Sequence, residues 1–247
     1  MASIQFKAMG DKKRYLNSED IDRVLARLIE LHPYKKNDNF EKLAVLYYFL
    51  FRTGRRVGEI VGLKPFNERT TGLRPVDIDF KDNTYRVSII KKNVVRSNDR
   101  FGKPRDPEKV NREKFFKKPY YETFALHPEL PEVLKDYIKR YDIGPLERLF
   151  PFSSDYPSAV FRAICRDLGI TLGVFTRYDK AGNPYQVKID PGVHVLRHSF
   201  AINFIKKDNK LTLLKQILAH SSLEVTQSYL RFGKEDERAA LNKLVEK

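Results

Sequence analysis

The 247-residue chain contains one cysteine, Cys165, so an internal disulfide is excluded. With Ile164 and Arg166 beside it on a predicted helix, it reads as a packing residue and points to an intracellular setting. No Cys-x-x-Cys or His-Glu-x-x-His pattern occurs, and the five histidines are dispersed. No metal site is therefore expected, catalytic or structural. Also missing is any run approaching the roughly 18 to 20 uninterrupted apolar residues of a membrane span, and the N-terminus lacks the apolar core of a secretory signal. A soluble, unprocessed protein with no membrane partner is expected. Its basic residues are scattered among acids instead of lining one amphipathic helix, which argues against electrostatic attachment to a membrane surface.

Negative charge is in deficit. Only 32 Asp and Glu stand against 47 Lys and Arg, a formal charge of +15, which suggests a polyanionic partner such as nucleic acid. The hydrophobic content of 41% is enough to bury a sizeable core in one large domain or two small ones.

Along the chain, Asn17 and Asp20 form a variant capping box ahead of Ile21, Val24, Leu25 and Leu28, predicting an amphipathic helix. A run from Phe40 through Leu43, Leu46, Tyr47, Leu50 and Phe51 is apolar on most faces and stops at Thr53-Gly54, as a central buried helix would. A short helix should begin near Arg56. The segment 75–79 leads through an Asp82-Asn83 turn into 84–90, where Val87 and Ile89 alternate with Arg86 and Ser88, predicting a small antiparallel sheet. The polar, basic stretch 93–118, broken by Gly102, Pro104 and Pro107, reads as a long excursion.

Helical spacing returns at Val133, Leu134, Tyr137 and Ile138 and again at Val160, Phe161, Ile164 and Leu168. The Gly- and Pro-punctuated segment 173–192 has room for a second hairpin. The last third reads as short helices over 194–206, 211–219, 223–230 and 235–245. The expected fold class is mainly α with a small antiparallel β-sheet (α+β).

Three stretches carry chemistry. In Gly192-Val-His-Val-Leu-Arg-His198, His194 and Arg197 lie three apart and share one face of the predicted helix. In Leu218-Ala-His220 followed by Ser221-Ser-Leu-Glu-Val-Thr-Gln-Ser-Tyr229, a second histidine precedes a tyrosine. In Thr53-Gly-Arg-Arg56-Val-Gly-Glu59, an arginine follows a glycine turn at a helix start, a position that suits phosphate. Each has an ordinary structural reading alone: a solvated arginine, a helix-end histidine, a core aromatic, a surface Arg–Glu pair. His198, one residue round the helix from Arg197, reads as a core or supporting histidine outside the site.

Taken in order, Arg56, His194-x-x-Arg197, His220 and Tyr229 resemble the signature of the tyrosine recombinases, or phage integrase family, over residues 16 to 247, the extent of that family's C-terminal catalytic domain. Residues 1–15 then form an N-terminal tail, with no separate core-binding domain ahead of the catalytic one. The resemblance places the family's first arginine at Arg56, three before Glu59, with Arg55 the alternative. It places the catalytic lysine in Ile89-Ile-Lys91-Lys92-Asn93, where Lys91 is preferred and Lys92 is the alternative. It implies site-specific cleavage and rejoining of double-stranded DNA, in integration, excision or resolution, with Tyr229 as nucleophile. Arg56, Arg197 and His220 would hold the phosphate, His194 would handle the tyrosine proton, and Lys91 would protonate the leaving 5′-oxygen. The product would be a 3′-phosphotyrosyl bond, formed without cofactor, metal or ATP.

The chemistry fits these residue types. Attack on a phosphodiester adds negative charge to the non-bridging oxygens, and planar, permanently charged guanidinium groups meet it with fixed donors. A phenol of pKa about 10 needs help to lose its proton at neutral pH. By the same resemblance, 235–245, with Ala239, Ala240, Leu241 and Leu244 as its apolar face, docks on a neighbouring subunit of a synaptic tetramer. The expected location is cytoplasmic and nucleoid-associated, or intracellular in a host if the gene is viral or plasmid-borne. Ala219 stands where the family often has glycine. Arg112-Glu-Lys-Phe-Phe-Lys-Lys-Pro-Tyr-Tyr121 reads equally as a DNA contact or as a solvated loop with an apolar anchor. Two rival functions are a type IB topoisomerase-like enzyme and a non-cleaving DNA-binding regulator derived from an integrase.

Overall fold

The computed structural model describes residues 15–35, 38–63, 71–89, 120–179, 181–208, 210–220, 222–227 and 229. Helix α1 (Ser18–Lys35) starts at a reciprocal cap. The Asp20 amide donates to Asn17 Oδ1 at 2.8 Å and the Asn17 amide donates to Asp20 Oδ2 at 3.3 Å, so two amides at the helix start are satisfied locally. Helix α2 (Asn39–Thr53) is buried along its length at Leu43, Leu46, Tyr47, Phe49 and Leu50. It packs against α1, against α4 (Leu130–Arg140) and against α6 (Val195–Asp208). Helix α5 (Tyr156–Asp167) closes the far side: Phe161 meets the Tyr47 ring edge-on at 5.0 Å, and the Tyr47 hydroxyl donates to the Pro157 carbonyl at 2.6 Å. Cys165 is fully buried here, and burial pushes its thiol up to about 12, as suits a packing residue.

The predicted sheet is present and gains a strand. After a single 3₁₀ turn at Pro75–Asp77, β1 (Ile78–Asp79), β2 (Thr84–Ile89) and β3 (Tyr120–Ala125) pair antiparallel in that order. Tyr85 faces Phe124 and Ile89 faces Tyr120. Tyr85, Val87 and Ile89 point into the core, while Arg86 is exposed on the other side. Asn83 takes a positive φ in the turn. Strand β3 was not legible because its inward positions are Glu122 and Phe124, a weak alternation preceded by a basic run. The sheet leans on α2 through Phe49 and Tyr85, edge-on at 5.3 Å.

A separate hairpin, β4 (Val174–Tyr178) with β5 (Pro184–Lys188), occupies the predicted second hairpin. The chain then runs through α6, α7 (Leu211–Ile217) and α8 (Leu223–Gln227). Among the described residues no helix is long and apolar enough to cross a membrane. The expected excursion 93–118, Lys91, Lys92 and the helix expected over 235–245 lie outside the described residues.

Candidate active site

The floor of the site is the end of α2. Gly54 caps the helix with φ 65°, donating its amide to the Leu50 carbonyl at 2.9 Å. A β-carbon there would sit 2.5 Å from Phe200 Cδ1 and 2.8 Å from Leu218 Cδ2, so conformation and space both select glycine. The chain then enters α3 (Val57–Val61) through Arg56 in extended backbone. Buried Glu59 anchors it: the Arg56 amide donates to Oε2 at 3.1 Å and Arg56 Nη1 donates to Oε1 at 2.9 Å. With only five residues, α3 supplies little macrodipole. Attraction for an anion here comes from the guanidinium groups.

Arg197, on the first turns of α6, is 2% exposed. Its Nη1 donates to the Gly54 carbonyl and its Nη2 to the Leu218 carbonyl, each at 2.8 Å. Two segments far apart in sequence thus converge on one side chain, and the fork still has further N–H groups to offer. Burial, then the neighbouring Arg56, lowers its pKa to about 9, which leaves it charged at neutral pH.

His194 lies just before α6 instead of on it, with its carbonyl accepting from the Arg197 amide at 3.2 Å. Although the residue is exposed, desolvation of the ring, then the positive charges of His198, Arg197 and Arg56, lower its pKa to about 4. It is neutral at physiological pH.

His220 is aimed by the end of α7, where Ala219 adopts φ 51°. The His220 amide bonds the Lys215 carbonyl at 3.0 Å and the Ala219 amide bonds the Gln216 carbonyl at 2.9 Å, a Schellman closure with a non-glycine residue in the left-handed position. His220 Nδ1 is 2.9 Å from the hydroxyl of fully buried Thr226. Burial, then Arg197, Arg56 and Arg55, lower the His220 pKa to about 3. In the tautomer whose Nδ1 accepts from the Thr226 hydroxyl, the neutral ring carries its proton on Nε2 as a donor.

Tyr229 is 5% exposed, with its ring among Ala201, Ile202, Ile205, Leu214 and Leu218. Burial raises its pKa, and Arg197 and Arg56 oppose that shift. Its hydroxyl lies 3.0 Å from Nδ1 of His198. The neighbour of the phenol is therefore the histidine that sequence reasoning left outside the site. The His194 and His198 rings meet edge-to-face at 5.0 Å. The signal that would have included His198 is its spacing of four from His194, about one helical turn, which brings the two rings side by side at the start of α6.

His194, His220 and Tyr229 are thus each brought within electrostatic reach of Arg56 and Arg197. Arg55 joins them, 1% exposed and with its guanidinium carbon 3.8 Å from the centre of the Phe124 ring. Among the described residues, these three guanidinium groups are paired with a single carboxylate, that of Glu59, an excess of positive charge that an anion would balance.

This fold is that of tyrosine recombinase catalytic domains. The phage integrase family model matches residues 152–235, the stretch that holds His194, Arg197, His220 and Tyr229.

Among solved structures, the XerH site-specific recombinase bound to a palindromic difH substrate superposes with a TM-score of 0.54 at 18% identity, covering 93% of this chain and 53% of its own. The Tn1549 transposon integrase in complex with transposon right-end DNA gives a TM-score of 0.54 at 14% identity, covering 92% of this chain and 66% of its own. A tyrosine recombinase of Pseudothermotoga lettingae is 31% identical over 122 residues, which are 49% of this chain and 38% of that protein. The integrase of Haemophilus phage HP1 is 45% identical over 40 residues, 16% of this chain and 12% of that one. The chain spans well under half the length of these two sequence relatives.

Proposed function

We propose that residues 16–247 form the catalytic domain of a site-specific recombinase that cleaves and rejoins duplex DNA through Tyr229. The observation that carries this reading is the cluster of Arg55, Arg56 and Arg197, only partly balanced by Glu59 and set around His220 and a buried tyrosine hydroxyl. Such a cluster suits a phosphodiester that gains charge on the way to its transition state. The DNA-bound states of XerH and the Tn1549 integrase, which share the fold, support DNA as the substrate here.

In this mechanism Tyr229 Oη attacks phosphorus while the bond to the 5′-oxygen breaks. The phenol proton passes to His198 Nδ1, 3.0 Å away, and exposed His194 beside it links the pair to solvent, so the proton-handling role assigned to His194 is shared. Arg56, Arg197 and the Nε2 proton of His220 hold the non-bridging oxygens. Lys91, or its neighbour Lys92, both just past the end of β2, gives the 5′-oxygen its proton. Attack by a 5′-hydroxyl on the phosphotyrosine reverses these steps and conserves the bond energy, so no ATP is consumed. The same reading includes a synaptic tetramer on DNA, joined through the segment 235–245. Crosslinking with and without DNA, before and after deletion of 235–247, tests the assembly.

The primary test incubates purified protein with duplexes carrying candidate sites, without metal or ATP, and quenches with detergent. Covalent protein–DNA adducts that vanish in Tyr229→Phe are expected, and joining of two separate sites distinguishes recombination from simple relaxation. Folded protein that binds the sites without forming adducts would favour a DNA-binding regulator instead.

A further inference from the structure

Arg55 has no role in the steps above, and its surroundings are unusual for a cation. It is among the largest fully buried side chains of the protein. Its Nε, Nη1 and Nη2 are all sealed from solvent, and none has a hydrogen-bond acceptor among the described residues. Its guanidinium group lies over the face of Phe124 on β3, and Tyr85 on β2 lies within its field. Glu59 has both carboxylate oxygens engaged with Arg56, and Glu122, inward-facing on β3 like Phe124, makes no hydrogen bond to Arg55.

A guanidinium group stays charged at any ordinary pH, and burying it without acceptors is unfavourable unless something else balances it. An aromatic face offsets only part of that penalty. An apolar side chain would fill the same space between α2 and the sheet at no such penalty. The charge is directed toward the reacting end of the molecule: it reaches both Arg197 and His220, the two groups that would hold phosphate oxygens.

We propose that Arg55 is an electrostatic positioning residue, a buried charge with no hydrogen-bonded counter-ion that acts together with Arg197 and His220 to draw a phosphate group into the site and is balanced when that anion is present. The proposal deepens the phosphoryl-transfer reading above and rests on it for the identity of the anion. Arg55 acts through its field, which falls slowly with distance in a water-poor interior, so it requires no direct contact with the DNA. The free protein is then less stable than its packing allows, and the anion restores the difference.

The test compares wild type with R55M, which keeps an unbranched side chain in the buried space and removes the charge. The first readout is the melting temperature without ligand and with inorganic phosphate, at ionic strength matched with chloride. R55M is expected to melt at or above the wild-type temperature without ligand and to lose at least half of the phosphate-induced increase. The second readout is the rate of adduct formation, expected to fall about tenfold or more in R55M and to recover in part in R55K. If R55M proves insoluble, R55K against R55Q carries the same comparison, with the phosphate response kept by the lysine and lost by the glutamine.

A lower ligand-free melting temperature with an unchanged phosphate increment would make Arg55 a structural residue and overturn the proposal. Wild-type protein that forms no adduct would count against the recombinase reading alone, because the phosphate increment still decides whether Arg55 serves an anion.

Discussion

The two halves of the site rest on very different foundations. Arg55, Arg56 and Glu59 sit between α2 and α3, whose Leu50, Phe51, Ile60 and Val61 belong to the large core that also takes in α1, α4, α5 and the sheet. Tyr229 rests on a satellite cluster of Ala201, Ile202, Ile205, Leu214 and Leu218. Helix α6 contributes Val195 and Leu196 to the first and Ala201, Ile202 and Ile205 to the second. Arg197 lies at the junction, with one hydrogen bond to the carbonyl of Gly54 and one to that of Leu218. The anion-binding half is therefore fixed by the main fold. The nucleophile half has far less apolar burial to hold it, and small clusters open at lower free energy than large ones. Changes at the nucleophile should alter chemistry with little effect on stability, whereas changes at the arginine end should alter both.

The largest effect expected from this division is in Tyr229→Phe. Adduct formation should fall to background, while unfolding free energy changes by only about 1 kcal/mol, because the substitution removes one hydrogen bond, to His198, and leaves the ring in place. Denaturant titration alongside a gel assay measures both; a collapse in stability would mean that the nucleophile half is not the satellite described. Arg197→Ala tests the junction. It leaves the Gly54 and Leu218 carbonyls without their buried donor, so a stability loss of about 2–4 kcal/mol is expected, together with a fall of about 10²–10³ in adduct rate. Arg197→Lys should not restore the rate, because an ammonium group cannot span both carbonyls and a phosphate.

Gly54→Ala acts on the arginine half without touching a charge. The left-handed backbone and the approach of Phe200 and Leu218 together predict a loss of about 2–4 kcal/mol, read from the denaturation midpoint. A loss under about 1 kcal/mol would show that α6 and α7 can move away from α2 freely, and the contrast between the halves would fail.

How much of this was legible beforehand depends on how local the signal is. The Asn17 cap, the Thr53-Gly54 stop and the Asp82-Asn83 turn are set by neighbours a few residues apart, and the structure has each where the sequence puts it. The convergence of Arg56, Arg197, His220 and Tyr229 was readable as a pattern of residue types in order. Their anchoring was not, because Arg197 depends on carbonyls 143 and 21 residues away, and backbone carbonyls leave no mark in a sequence. The burial of Arg55 was hidden for the same reason: next to Arg56 in a basic chain it reads as one more surface cation, and only the packing of Phe124 over it shows otherwise.

The pH dependence of stability should also separate the halves. His220 is held neutral, its pKa lowered to about 3 by burial and by the arginines, against about 6.5 for an unfolded histidine. Between those values the unfolded chain binds the proton more readily, so the stability from this site is complete above about pH 6.5 and is lost as pH falls toward 3. The slope is at most about 1.4 kcal/mol per pH unit from this group. His194, lowered to about 4, acts in the same direction but contributes less because it is exposed to solvent. Melting temperatures from pH 7 to 5 should decline, less steeply in His220→Gln and less steeply with inorganic phosphate bound. A profile identical in wild type and His220→Gln would show that neither burial nor the arginines hold this ring neutral.

The smallest effect belongs to the turn that aims His220. Ala219 holds φ 51° at the end of α7, where a side chain's β-carbon crowds its own backbone by about 1–2 kcal/mol and glycine does not. Because glycine also gains freedom in the unfolded chain, Ala219→Gly should raise stability by only about 0.5–1 kcal/mol. The Schellman bonds from His220 to Lys215 and from Ala219 to Gln216 remain available to glycine, so His220 keeps its aim and the adduct rate should stay within about twofold of wild type. Destabilisation instead would mean that the Ala219 methyl, buried against the larger core, contributes more by packing than its backbone conformation costs.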